Sequence, residues 1–522
     1  MNAAAILSAA DSVPRPARFH ALVQATRRAA LVARTGTVRR LSGHAIVADG
    51  PDVVLGETCR IVGGRAGAAP IDAEVVAIAE GSVTLLPCGS ASGCAPGDAV
   101  VALGQSADIG VGDALLGRVI DGFGAPLDGR PPPATVERRP LTGGPRNPLE
   151  RPPVTDVLET GVRAVDALLT LGRGQRIGLF AGSGVGKSTL LGRMTRHVQA
   201  DVRVVALIGE RGREVRDFVE RHLGPEGLAR SVVVVAASDQ PALARLRAAH
   251  AAVAIAEAFR DAGRHVLLTM DSVTRYAMAR REVGLAAGEP PTARGYTPSV
   301  FSDIPRLVER CGTGAGGGSI SALFTVLVEG DDPNEPIADC LRAALDGHIV
   351  LARAIAHRGR FPAIDVLGST SRLATQLASA EARALAAEAT RVLAALDRNR
   401  AMLEVGAYTP GTNAELDRAL AVEPALEAFL GQSADDETPV SRSDALAALA
   451  TALRGTGASV PSNGGTAPAH AQHGSHGHPS HPSHPSQSPR SPAWSLTPHA
   501  PPGRSAPQEF PISPAIRSRG VA

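Results

Sequence analysis

Gly178-Leu-Phe-Ala-Gly-Ser-Gly-Val-Gly-Lys-Ser-Thr189 is the stretch that decides how the rest of this chain is read. An apolar run from Ile177 to Phe180 leads into Gly182, Ser183, Gly184, Val185 and Gly186, then Lys187, Ser188 and Thr189, and a helical apolar pattern resumes at Leu190. Strand, glycine-rich loop and helix, in that order, are what a nucleotide phosphate site requires. Glycines let successive N–H groups converge on phosphate oxygens, the amino end of the helix adds partial positive charge, and a lysine reaches the outer phosphates. Residues 182–189 are therefore the expected nucleotide-binding set, with Ser188 as a magnesium ligand. One position departs from the strict G-x-x-x-x-G-K-[ST] pattern: Ala181 stands where its first glycine belongs. Lys187 is also the only lysine in a chain with 53 Lys and Arg residues. A chain that uses arginine everywhere else and keeps lysine here needs a slim ammonium among the phosphates, where a guanidinium fork does not fit.

Two further apolar runs end in carboxylates. Val266-Leu-Leu-Thr-Met-Asp271 has the arrangement that holds magnesium-bound water, so Asp271 is the second expected metal residue. Val204-Val-Ala-Leu-Ile-Gly-Glu210 can bring Glu210 beside the phosphate loop as a general base, although a surface Glu paired with Arg211 or Arg213 fits the same residues. Gly368-Ser-Thr-Ser-Arg372 follows another strand, and its arginine can reach a nucleotide, including one bound to a neighbouring subunit. Together these supply the parts of ATP hydrolysis: a phosphate cradle, Mg²⁺, a residue for the attacking water and a positive charge for the γ-phosphate.

With 522 residues the chain exceeds one ordinary domain of about 100–200 residues. A net charge of +2 and only 3% aromatic residues give no basic, base-stacking surface, so no nucleic-acid partner is expected. Cys59, Cys88, Cys94, Cys311 and Cys340 are odd in number and scattered, which suits a reducing cytoplasm. Residues 1–13 lack the basic start of a signal peptide, and no apolar run approaches the ~18 residues of a membrane helix.

Along the chain, residues 1–35 contain a basic amphipathic helix pattern over 15–34. Short β-type runs then fill 36–120 and suggest a small barrel or sandwich. Residues 121–155 read as a Pro/Gly-rich linker. Residues 156–375 alternate strands and helices, which predicts a mostly parallel α/β sheet. Its expected strands are 176–180, 203–208, 231–236, 265–270, 320–328 and 363–367. Residues 376–455 read as helical, and 456–522 as a disordered Pro/Ser/His-rich tail.

The motifs strongly resemble the protein export ATPases of bacterial type III secretion systems and flagella, relatives of the catalytic β subunit of F-type ATPase. The resemblance rests on Leu116 to Gly129, Thr160 to Asp166, Ala181 to Thr189, Gly209-Glu-Arg-Gly-Arg-Glu-Val215, Met270 to Tyr276, Gly288 to Pro291, Ser299 to Phe301 and Asp346 to Val350. It covers about residues 36–455, and other members look similar at Ala181. It implies an α/β fold with a RecA-like P-loop core, an amino-terminal β-barrel and a carboxyl-terminal helical domain. It implies protein-secreting ATP hydrolysis with ATP and Mg²⁺ as cofactors, and a catalytic set of Lys187, Glu210, Arg211 and Arg372, the last acting in trans. It implies a homohexamer, stator and central-stalk proteins, export chaperones and substrates, and peripheral association with the inner-membrane export gate from the cytoplasm. The stator is expected on residues 15–34 and the stalk on the acidic loop 329–335. Val328 to Pro336 looks more like the injectisome branch, and the flagellar branch is the alternative. A non-catalytic ring subunit is disfavoured by Glu210 with Arg372. An RNA translocase is disfavoured because residues 36–120 contain no aromatic side chain.

Overall fold

A computed structural model describes residues 32–454, apart from residue 44 and the short segments 64–68, 145–146, 329–334 and 434–437. Residues 15–31 of the expected stator helix, most of the acidic loop and the tail lie outside the described residues; the described end of that expected helix, 32–34, is not helical. Strands β1 (Thr35–Ser42), β2 (Ala45–Asp49), β3 (Glu57–Val62), β4 (Ile71–Ala79), β5 (Ser82–Pro87) and β6 (Ala99–Ser106) close into a barrel in the order β1-β2-β5-β4-β3-β6. Alternation builds it: along β3, Glu57, Cys59 and Ile61 are buried while Arg60 and Val62 face out. Val38, Ile46, Val75, Leu85 and Val100 fill the interior with them. Val53-Val-Leu55, one of the short β-type runs expected within 36–120, is instead a loop in which Val53 is buried and Val54 and Leu55 are exposed.

The barrel ends at Ser106, short of residue 120. Asp108–Val111 leaves it to pair with Glu137–Pro140, inside the segment expected to be linker. Arg118–Asp121 crosses over entirely and becomes the edge strand of the central sheet, parallel to Ser231–Ala236.

That sheet runs in the order Ile364–Ser371, Gly347–Leu351, Arg176–Ala181, Ser319–Leu327, His265–Asp271, Val202–Ile208, Ser231–Ala236, Arg118–Asp121. Every neighbouring pair along it is parallel except the first, where Ile364–Ser371 runs antiparallel to Gly347–Leu351. All residues of Val202–Ile208 and His265–Asp271 are buried, as strands covered on both faces must be. One face carries the alanine-rich helix Ala242–Asp261 with Val273–Ala286 and Pro298–Glu309. The other carries Lys187–His197 and the carboxyl-terminal helices Ala380–Arg398, Ala414–Leu430 and Arg442–Arg454. Two of these start where a side chain caps them: Ser379 accepts from the N–H of Ala382, and Asn413 from those of Glu415 and Leu416. Among the described residues no helix is long and apolar enough to cross a membrane.

Candidate active site

Parallel strands end at one edge of a sheet, and the candidate residues gather there because each follows such an end. Arg176–Ala181 runs into the loop, and Gly186, at φ 88°, starts the helix Lys187–His197. Ala181 needs no glycine's freedom, since it is still in the strand, paired with Leu327 on one side and Leu351 on the other. Val185 is buried among Leu190, Leu191 and Met194, which anchors the loop, while Ser183, Gly184, Ser188 and Thr189 stay exposed.

Asp271 ends the strand two places away, with Ser319–Leu327 lying between. From that middle strand the buried Thr325 hydroxyl donates to Asp271 Oδ1 at 2.7 Å. The ammonium of Lys187 donates to the same oxygen. Glu210 stands 3.7 Å from Lys187 Nζ. Its approach depends on Gly209, which has φ 70° and no room for a side chain: a Cβ there comes within 2.9 Å of Arg275 Cβ. Three groups separated widely in sequence are thus in one cluster.

The cluster holds more negative than positive charge, and the titration of Glu210 reflects it. Burial first, then a hydrogen bond with Glu214 and repulsion from Asp271, push the Glu210 carboxyl up to about 8, with Lys187 opposing. Glu214 moves down, as the member of the pair that gives up its proton first. A base poised near neutrality is suited to taking a proton from water.

Two expected residues stand elsewhere. Arg211 points to solvent, its side chain 78% exposed and 3.5 Å from Glu214. Arg372 is on the opposite edge of the sheet: Ser371 pairs with Gly347, which pairs with Ile177 at the beginning of the loop strand. Gly182 lies five residues beyond Ile177 and two strands across, so Arg372 is ~16 Å along the strands and ~10 Å across them, about 19 Å from its own loop. There its guanidinium donates to the Arg342 carbonyl.

Two residues escaped the sequence reading. Arg275 packs against Gly209, and its buried Nε lacks a hydrogen-bond partner. Its signal was its place in Met270 to Tyr276, just after the carboxylate. Phe361, 46% exposed, lines a cavity of about 930 Å³ together with Gly184, Gly186, Thr189 and Gln432. Arg193, Arg196, Arg358 and Arg360 also line it. An exposed aromatic face next to a phosphate loop is a surface on which a purine can stack, and a lone Phe in a loop gives no such signal in sequence.

Residues 161–371 match the ATP synthase alpha/beta family, nucleotide-binding domain, and residues 378–451 match the T3SS EscN ATPase C-terminal domain. The chain is 50% identical over 422 residues to the flagellum-specific ATP synthase of Bacillus subtilis, covering 81% of this chain and 95% of that protein. It is 46% identical over 402 residues to the type 3 secretion system ATPase of Xanthomonas euvesicatoria, covering 77% and 90%. Among solved structures it is similar to the assembled ATPase EscN of the enteropathogenic E. coli type III secretion system, with 44% identity, a TM-score of 0.76, and coverage of 80% of this chain and 100% of that one. EscN in complex with its central stalk EscO is similar at 43% identity and a TM-score of 0.73, covering 80% and 100%. With relatives this similar over nearly their whole length, the chain belongs to the family of flagellum-specific and type 3 secretion system ATPases.

Proposed function

We propose that this chain is an ATP-hydrolysing motor of type III protein export whose catalytic sites are completed only by assembly. The observation that carries this is the division of charged groups between two sheet edges. Lys187, Glu210 and Asp271 cluster at one edge, and Arg372, about 19 Å away, cannot serve the same loop. An arginine on the far edge is placed to serve a neighbouring subunit in a head-to-tail ring, where each interface is heterologous. The assembled state and central stalk named for EscN support a ring and a stalk partner here. Stator proteins, chaperones, exported substrates and docking at the inner-membrane export gate follow from the family reading. Identity to a secretion-system relative, 46%, and to a flagellar one, 50%, is close enough that both branches suit the chain.

The residues fit a hard divalent cation. Ser188 offers an exposed hydroxyl and Asp271 a carboxylate held in place by Thr325, both oxygen donors of the type magnesium takes alongside phosphates and water. When bound, Mg²⁺ would neutralise charge on the transferring phosphoryl group. Lys187 would hold the outer phosphates, residues 182–189 would supply the cradle, and Glu210 would orient the attacking water and accept its proton. Arg275 would add positive charge beside Glu210. Phe361 would stack on the base.

The test is magnesium-dependent ATP turnover against protein concentration, wild type beside Glu210→Gln. Turnover per chain that rises with concentration and is lost in the variant supports the reading. A constant turnover per chain down to monomer concentrations refutes assembly dependence, and an active Glu210→Gln refutes the role of Glu210.

A further inference from the structure

Far from the phosphate loop, a cavity of about 660 Å³ is lined by Arg173, Gln199, Asp201, Arg230, Arg264 and His265. These residues converge because four parallel strands begin at this edge: Arg173 precedes Arg176–Ala181, Asp201 precedes Val202–Ile208, Arg230 precedes Ser231–Ala236, and His265 opens His265–Asp271. Arg173 and Arg230 make no ion pair or side-chain hydrogen bond among the described residues. Arg264 pairs with Asp113 at 2.8 Å and lies over the Phe259 ring. The one carboxylate in the lining, Asp201, accepts from the backbone N–H of His265 at 2.7 Å. His265 is 2% exposed. Its Nδ1 is 2.8 Å from Ser319 Oγ, and its Nε2 has no hydrogen-bond partner. Just behind, the Arg203 guanidinium donates only to the carbonyls of Thr195, Arg196 and Val198.

We infer that this cavity binds a compact, multiply charged phosphate anion of about the size of pyrophosphate. Guanidinium forks match phosphoryl oxygens two at a time, and two of the three here, Arg173 and Arg230, are paired with no carboxylate among the described residues. In the tautomer that accepts from Ser319, His265 offers a neutral Nε2–H as a further donor. The surrounding titrations are set first by burial and then by neighbouring arginines, with Asp201 opposing at His265. Burial and then Arg230 lower Arg203, while burial and then Arg173 hold His265 down at about 4. The site is separated from the phosphate loop by the length of a six-residue strand, ~20 Å, so the two can fill independently.

The experiment is a calorimetric titration of the full chain with pyrophosphate after the phosphate loop has been saturated with ADP. One additional site is expected. In Arg173→Ala/Arg230→Ala its affinity should fall about tenfold or more, while Arg173→Lys/Arg230→Lys keeps part of it. Both variants should keep wild-type melting temperature and ATP turnover, which separates lost binding from lost folding. No binding beyond the ADP-filled loop overturns the inference. Equal binding in the alanine variant marks an adventitious ion only. If the wild type binds no pyrophosphate and the alanine variant sediments as a smaller species, the arginines meet carboxylates of another copy and the anion reading fails.

Discussion

Chains carrying Lys187→Ala and chains carrying Arg372→Ala should restore in mixture the turnover that each lacks alone. The expectation follows from the ~19 Å between Arg372 and its own loop, a gap no side chain spans. A Lys187→Ala chain still presents Arg372 to its neighbour, and an Arg372→Ala chain still has an intact loop with Glu210 and Asp271. In a ring assembled at random from equal amounts, about one quarter of the interfaces join an intact loop to an intact Arg372. Removing an arginine from a phosphoryl-transfer centre costs about 10³–10⁵ in turnover, so a return to about a quarter of wild type stands far above either parent. The assay is phosphate release at fixed total protein, with co-assembly verified by capturing one tagged variant and detecting the other. Mixed complexes that form but stay at the parental rate would refute the shared site, as would wild-type turnover by Arg372→Ala alone.

Other consequences follow from the cluster. Thr325→Val keeps the shape of a buried residue but removes the donor to Asp271; at about 1.5–3 kcal/mol for a hydrogen bond to a charge, kcat should fall ~10–100-fold, and an unchanged kcat would show that Thr325 does not position the carboxylate. Because Glu210 is raised from 4.5 to about 8, the folded chain keeps a proton that the unfolded chain releases. Its contribution to stability is therefore full below pH 4.5 and is lost as pH rises through about 8, over the same upper range in which turnover gains the base; a melting profile that Glu210→Gln leaves unflattened, or a wild-type rate that does not rise through this range, would contradict this. Phe361→Ala should raise KM for ATP ~5–100-fold with a smaller change in kcat, read from steady-state kinetics, if stacking is worth its usual 1–3 kcal/mol. An acylating reagent followed by peptide mapping should find the only modified ε-amine at Lys187, protected by MgATP, and a fully acylated chain that retains turnover would remove the lysine from the mechanism.

What could be read from sequence was whatever lies within one short window. The phosphate loop needs only twelve consecutive residues, and the alternation that buries Cys59 and Ile61 needs only six. Arg118–Asp121 and Gly347–Leu351 went unread because each is a few residues long and bordered by glycine, so turn composition outweighed their apolar content. Val53-Val-Leu55 failed for the converse reason, since three apolar residues after Pro51 look like a strand although only Val53 packs. The site itself depends on a longer-range property. Lys187, Glu210 and Asp271 meet because the strand order interleaves distant segments, and no local pattern records that order. Arg372 is the sharpest case. Sequence places it after a strand, as it places Asp271 after one, yet the two finish on opposite edges because Ile364–Ser371 runs antiparallel to Gly347–Leu351. Were that strand parallel, Arg372 would lie on the same edge as its own loop and one chain could complete the site. The reversal of this strand is what sets Arg372 apart from its own loop, and on the proposed shared site it is the reason an isolated chain should turn over poorly.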